Sequence, residues 1–106
     1  MTPDDQLVAA VRKLVGQVAH WTPSRWAASS VVPGRSRAEA FHATLQTLAD
    51  ATAAAEGAPS RPVPRLDNDL ALPDQLRVLA TDLGHHAPEA VPAAVEALAA
   101  LRHNLS

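Results

Sequence analysis

Apolar side chains recur three and four residues apart in four segments of this chain, and prolines or glycines separate the segments. That spacing places the apolar residues of each segment on one face of an α-helix. No run of four or more residues alternates in the way a strand does, with β-branched or aromatic enrichment. Because an apolar helix face must be buried against another element, the pattern predicts an all-α fold: a small helical bundle of four main helices plus one short helix, with up-down type packing.

The first segment predicts a helix from about Pro3 to about Ala19. Thr2 can cap this helix, and Pro3 at the first helical position loses no hydrogen bond there. Val8 and Val15 widen an apolar stripe that consists of Leu7, Val11, Leu14 and Val18.

The stretch from His20 to Trp26 holds both tryptophans of the chain. Thr22 followed by Pro23 repeats the Thr-Pro start of the first helix, so we expect a short helix from Pro23 to about Ser30. Trp21 then precedes the cap and Trp26 is the fourth helical residue. Side chains at these two positions form a hydrophobic staple, which fixes the angle at which the chain enters a helix.

Three further helices are predicted, and the start of the last one is left open. Ser36 and Glu39 form a capping box that opens a helix ending at Gly57. Residues 58–65 contain three prolines and predict an extended connector, after which residues 67–69 favour a turn. A fourth helix is expected to start at Pro73 and stop at Gly84. After a break at residues 85–88, the last helix carries an apolar stripe from Val91 to Leu105.

Length and composition limit what the chain can be. A chain of 106 residues buries about two thirds of its unfolded surface, which suffices for one core, so residues 1–106 are expected to form a single helical domain. Without cysteine, disulfides and metal–thiolate sites are excluded. No apolar stretch reaches transmembrane length and no signal peptide is evident, so we expect a cytoplasmic protein with no membrane partner. One lysine against eight arginines is typical of a high-G+C bacterial genome.

The charge pattern and the histidine spacing argue against two classes of partner. The net charge is −2 with scattered arginines, so nucleic acid is not the expected partner. No two of the five histidines stand three or four residues apart on a helix, so we predict no metal site and no cofactor. Nucleophile-elbow, phosphate-loop and dinucleotide motifs are absent from the sequence, which favours a non-catalytic protein.

Two interpretations of the tryptophan corner remain. One is a ligand-binding or enzymatic pocket suited to an aromatic or anionic molecule and lined by Trp21, Arg25, Trp26, His20 and His42. The other is a packing role, with the tryptophans acting as the staple between two helices. We favour the second, because an alanine-rich core needs its largest apolar side chains.

The broad apolar faces of the first and last helices suggest more apolar surface than one small bundle can cover. The leading hypothesis is therefore a non-catalytic protein that binds another protein, including a second copy of itself. The predicted interface consists of Leu7, Val11, Leu14, Val18, Leu98 and Leu101. A weaker alternative is a DNA-binding helix-turn-helix around residues 23–56, where Arg25, Arg35 and Arg37 cluster.

Overall fold

The computed structural model describes residues 2–105, apart from the side chain of Pro3, and is 72% helical with no strand in that range. Its helices are α1 (Pro3–Val18), α2 (Pro23–Ala27), α3 (Arg37–Ala55), α4 (Leu72–His86) and α5 (Val91–Asn104). The predicted all-α bundle of four main helices and one short helix is confirmed.

The capping signals in the sequence account for three helix starts. Thr2 and Ser36 each close a capping box with the acidic residue three positions later, Asp5 and Glu39. The Thr22 hydroxyl accepts a hydrogen bond from the Arg25 amide at the start of α2. Each of these contacts satisfies a backbone N–H that the helix itself leaves unpaired.

The short helix α2 ends at Ala27, three residues before the predicted end. Its continuation is blocked because the following loop forms backbone bonds of its own. The Arg37 amide donates to the Ala28 carbonyl at 2.8 Å, and the Ser30 amide donates to the Arg35 carbonyl at 3.0 Å. Gly34 makes the loop reverse, with φ of +75°.

The break between α4 and α5 is shorter than predicted, because α4 continues through Gly84 to His86. Glycine is tolerated inside the helix, and the helix instead ends at Ala87, whose φ of −139° and ψ of 55° are not helical. Pro88 is the cause, since the residue before a proline is disfavoured in the helical conformation. A single 3₁₀ turn, Pro88–Ala90, then leads into α5 with Pro92 in its first turn.

The four main helices surround one apolar core. In the described residues, α1 and α3 each pack against both α4 and α5, and α2 packs on α3. Among the described residues, every buried side chain is apolar. The largest of these are Trp26 and Phe41 together with leucines from α1, α3, α4 and α5. Between α3 and α4 lies the non-helical connector, residues 58–68, which positions the surface discussed below.

Candidate interaction surface

The tryptophan corner is a packed aromatic cluster. Trp21 and Trp26 meet edge to face with ring centroids 4.9 Å apart, and Trp26 meets Phe41 in the same way at 5.3 Å. Both indoles are buried, and neither lines any of five prominent surface grooves formed by the described residues. Trp21 and Trp26 therefore make the contact that defines a hydrophobic staple.

Two arginines cover the outer indole. The guanidinium groups of Arg25 and Arg37 lie 5.1 Å and 5.2 Å from the Trp21 ring centroid. Arg37 also donates to the Arg25 carbonyl at 3.3 Å. Arg25 was among the predicted site residues, whereas the contribution of Arg37 depends on the loop that brings α3 back towards α2.

The two predicted histidines lie apart from this cluster. His20 is exposed in the turn after α1. His42 lies on α3 and its Nε2 atom is hydrogen-bonded to the carbonyl of Val63 in the connector, at 2.9 Å. The structure thus brings Trp21, Trp26 and Arg25 together and directs His42 to a different part of the molecule.

The predicted interface residues lie in the core of a single copy. Leu7, Leu14, Val18, Leu98 and Leu101 are all buried, and Val11 is half-buried. The apolar stripes of α1 and α5 are covered largely because these two helices pack against each other. A partner could not reach the five buried side chains without opening the bundle.

A row of polar side chains on α3 holds the connector, and the sequence interpretation missed it. His42, Gln46 and Asp50 stand four residues apart and share one face of the helix. Gln46 accepts a hydrogen bond from the Val63 amide at 2.7 Å and donates to the Arg61 carbonyl at 3.0 Å. The extended connector cannot pair its own backbone groups, so these side chains act in place of a neighbouring strand.

Asp50 of this row and Gln75 of α4 complete the clamp, by which we mean the side chains that hold the connector. Asp50 accepts hydrogen bonds from Gln46, at 2.8 Å, and from the Ser60 hydroxyl. Those two bonds lower the pKa of the Asp50 carboxyl below its ordinary value, because both stabilise the charged form. From the other side, Gln75 of α4 donates to the Pro64 carbonyl at 3.0 Å.

The pKa of the capping carboxylate of α3, Glu39, is lowered as well. Hydrogen bonds from the backbone and the hydroxyl of Ser36 lower the pKa of Glu39, and the nearby charges of Arg65 and Arg35 add to this effect. Arg65 itself forms an ion pair with Asp69 in the turn before α4. These contacts order the start of α3 and the end of the connector.

Clamping the connector in this way creates an apolar groove between it and α4. The groove has a volume of about 490 Å³ and has Arg61, Asp74 and Gln75 at its edges. Its apolar lining consists of Ala49, Pro62, Val63, Pro64, Leu66, Ala71, Val78 and Leu79. A smaller groove, about 270 Å³, lies on the other side of α4 and is lined by Leu7, Val8, Val11, Arg12, Arg77, Ala80 and Thr81.

Between the two grooves lies the outward surface of α4, which we call the α4 face. It consists of Asp74, Arg77, Val78, Thr81, Asp82 and His85, all of them exposed. Four of the five large apolar side chains exposed in the described residues lie on this face, beside it or in the turn before it. They are Val8, Leu66, Leu70 and Val78, each between 44% and 61% exposed.

The described residues show neither a metal site nor a membrane-spanning helix. No three histidine, aspartate or glutamate side chains in residues 2–105 come together in a way that could hold a metal ion. Within the same residues, no helix has the length and apolar character needed to cross a bilayer. Comparison of this chain with protein-family models, with curated proteins and with solved structures found no match in any of the three.

Proposed function

We propose that this is a non-catalytic protein that works by binding a helix of another protein chain along the α4 face. The observation that carries the proposal is that three exposed apolar side chains, Val8, Leu66 and Val78, line the grooves on either side of one helix. Single exposed apolar residues are normal on any protein, whereas a group of them beside shared grooves marks a contact surface.

The shape of the surface favours a helical partner. The α4 face is a ridge with an apolar groove on each side, which is how helices interlock side chains when they pack. Val78 stands at the centre of the ridge, and charged residues of both signs surround it. A partner helix with an apolar centre and charges of both signs at its ends complements this arrangement.

The residues best suited to chemistry already have structural roles, which supports a binding function over catalysis. His42, Gln46 and Asp50 bond to the connector or to one another, and both tryptophans are packed in the core. Two of the arginines that suggested DNA binding, Arg25 and Arg37, cover an indole ring. The proposal includes a cytoplasmic location, with which the absence of cysteine agrees.

Site-specific photo-crosslinking in the source cells tests the proposal. A photoreactive phenylalanine analogue is placed at position 78, and a matched control carries it at position 31. Val78 and Val31 are similarly exposed, at 61% and 55%, but Val31 lies in the loop after α2. We expect a discrete protein adduct, identified by mass spectrometry, from position 78 alone.

Charge reversal on the face provides the specificity control. If the adduct at position 78 reports a specific contact, Asp82→Arg should abolish it while Glu96→Arg, an exposed reversal on α5, should leave it intact. Identical adduct patterns from positions 78 and 31, or no adduct at position 78, would refute the proposed function.

A further inference from the structure

We infer that the groove between the connector and α4, which we call the connector groove, binds an amphipathic carboxylate: a small molecule with an elongated apolar chain and one carboxylate head. The inference goes beyond the proposed function, because it concerns a small ligand and needs no protein partner.

The size and the lining of the connector groove suit such a molecule. Its volume of about 490 Å³ lies within the range of small-molecule sites, about 300–1,000 Å³. Most of its lining residues are apolar, as they are in sites of that kind. Ala71 and Leu79 both line the groove and are eight residues apart, so it extends about 12 Å along α4. An alkyl chain of medium length fits along this axis.

The connector groove is formed before any ligand arrives. On the α3 side, Gln46 binds both the Val63 amide and the Arg61 carbonyl. On the α4 side, Gln75 donates to the Pro64 carbonyl at 3.0 Å. Prolines on both sides of Val63 further restrict the backbone of this wall. A wall that is already ordered lowers the entropic cost of binding.

The charges that line the groove favour an anionic head group. Two charged side chains, Arg61 and Asp74, are among the lining residues. Asp74 already forms an ion pair with Arg77 at 2.8 Å, whereas the Arg61 guanidinium has no ion pair in the part of the chain that the structure describes. An apolar cavity with one uncompensated cation is complementary to a ligand with one negative charge. A guanidinium binds a carboxylate through two parallel hydrogen bonds, which makes a carboxylate the best-matched head group.

A neighbouring cavity determines the direction of the ligand. This cavity, of about 340 Å³, shares Arg61 with the connector groove and is also lined by Glu56 and Asp82. Arg61 therefore lies where the two cavities meet, whereas Leu66 lines only the connector groove. The two acidic side chains repel a carboxylate from the second cavity. The head thus binds at Arg61 and the apolar chain extends along the connector groove towards Leu66.

Titration of the purified protein with decanoate, at neutral pH and below the concentration at which decanoate forms micelles, tests the inference. Isothermal titration calorimetry should show saturable binding of one decanoate per chain. In ¹H–¹⁵N correlation spectra, the amides of Val63, Leu66 and Val78 should shift with the same Kd. Amides around the groove between α1 and α5 should not shift.

Substitutions at Arg61 test the head-group contact. Arg61→Gln should raise the Kd for decanoate by at least about fivefold, because it removes the charge that pairs with the carboxylate. Arg61→Lys keeps the charge and should retain most of the affinity. Arg35→Gln is the matched control, since Arg35 is also exposed but does not line the groove, and it should leave the Kd unchanged. Circular dichroism melts check that each variant folds.

Two related probes separate the contributions of the charge and the chain. Decyltrimethylammonium has the same chain with the opposite charge and should bind more weakly than decanoate. Hexanoate has the same head with a shorter chain and should also bind more weakly, since it covers less of the apolar lining. Added salt should weaken decanoate binding to the wild-type protein and have less effect on Arg61→Gln.

Four outcomes overturn the inference: no saturable binding of decanoate, a Kd that Arg61→Gln leaves unchanged, equal or tighter binding of decyltrimethylammonium, or amide shifts spread over the other grooves. None of these outcomes bears on the crosslink at position 78, which is measured in cells without decanoate. The proposed function and this inference can therefore fail separately.

Discussion

Replacing Gln46 by alanine should show how strongly the α3 side chains hold the connector. The change removes the acceptor of the Val63 amide, a bond of 2.7 Å in a partly buried position. It also removes the donor to the Arg61 carbonyl and to the exposed Asp50 carboxylate. A partly buried amide left without a partner costs about 1–3 kcal/mol, and the exposed Arg61 carbonyl, which water can reach, adds at most about 1 kcal/mol.

The expected loss is about 2 kcal/mol, since alanine regains a few tenths of a kcal/mol through its higher helix propensity. For a domain of this size that loss lowers Tm by about 8–16 °C. Thr47→Ala is the matched control, because Thr47 is the next residue on α3, is exposed and bonds only within its own helix. Its effect should stay within about 0.5 kcal/mol.

Hydrogen exchange separates the clamp from a general weakening of the helix. In Gln46→Ala the Val63 amide should lose protection far more than the Leu45 amide, which lies inside α3. A Tm loss no larger than that of Thr47→Ala, or unchanged protection at Val63, would refute the reasoning.

Three further predictions concern the clamp, the core and the helix ends. Asp50 has a lowered pKa when folded, so its carboxylate stabilises the fold fully above the ordinary pKa of 3.8, and this contribution disappears as the pH falls through the folded value. In urea melts, the wild-type protein should therefore be more stable than Asp50→Asn near neutral pH, and this difference in stability should vanish in strong acid. A difference that does not change with pH would contradict the stabilising role of the Asp50 carboxylate. Trp26→Ala should destabilise by about 3–5 kcal/mol in the same melts, because Trp26 is fully buried, and wild-type fluorescence should show the blue-shifted emission of buried indole without response to anionic metabolites. Gly16→Ala should stabilise the protein by about 0.5–1 kcal/mol, since a Cβ there meets nothing within 4 Å. Gly57→Ala should destabilise it, because φ at this position is +67°. Equal effects of the two substitutions on stability would show that the backbone conformation does not decide them.

Much of the fold follows from local chemistry that a sequence displays directly. Capping side chains, proline at first helical positions and apolar spacing are properties of neighbouring residues, so Thr2, Thr22 and Ser36 mark helix starts correctly. The staple was predictable for the same reason, because Trp21 and Trp26 are only five residues apart. At the end of α4, Gly84 and Pro88 predicted different helix ends. The helix ends just before Pro88, because a proline disfavours the helical conformation of the residue before it, whereas a glycine can remain inside a helix.

The binding surface could not be predicted in the same way. The apolar stripes of α1 and α5 suggested more apolar surface than one bundle can bury. Whether a stripe is exposed, however, depends on which other helix covers it. Val78 belongs to no stripe that the sequence interpretation selected, and its exposure is set by the connector and α1 on either side of α4. One available signal was overlooked: His42, Gln46 and Asp50 recur every four residues beside the apolar face of α3.

The sequence by itself determined the helices, their caps and the aromatic corner, because these depend on interactions between residues close together in the chain. Only the tertiary structure decided that the stripes of α1 and α5 are used up in one core and that α4 is left with an outward face. The physical reason is that burial is a property of pairs of distant segments. Its outcome depends on how α1, α3, α4 and α5 share a limited amount of apolar surface.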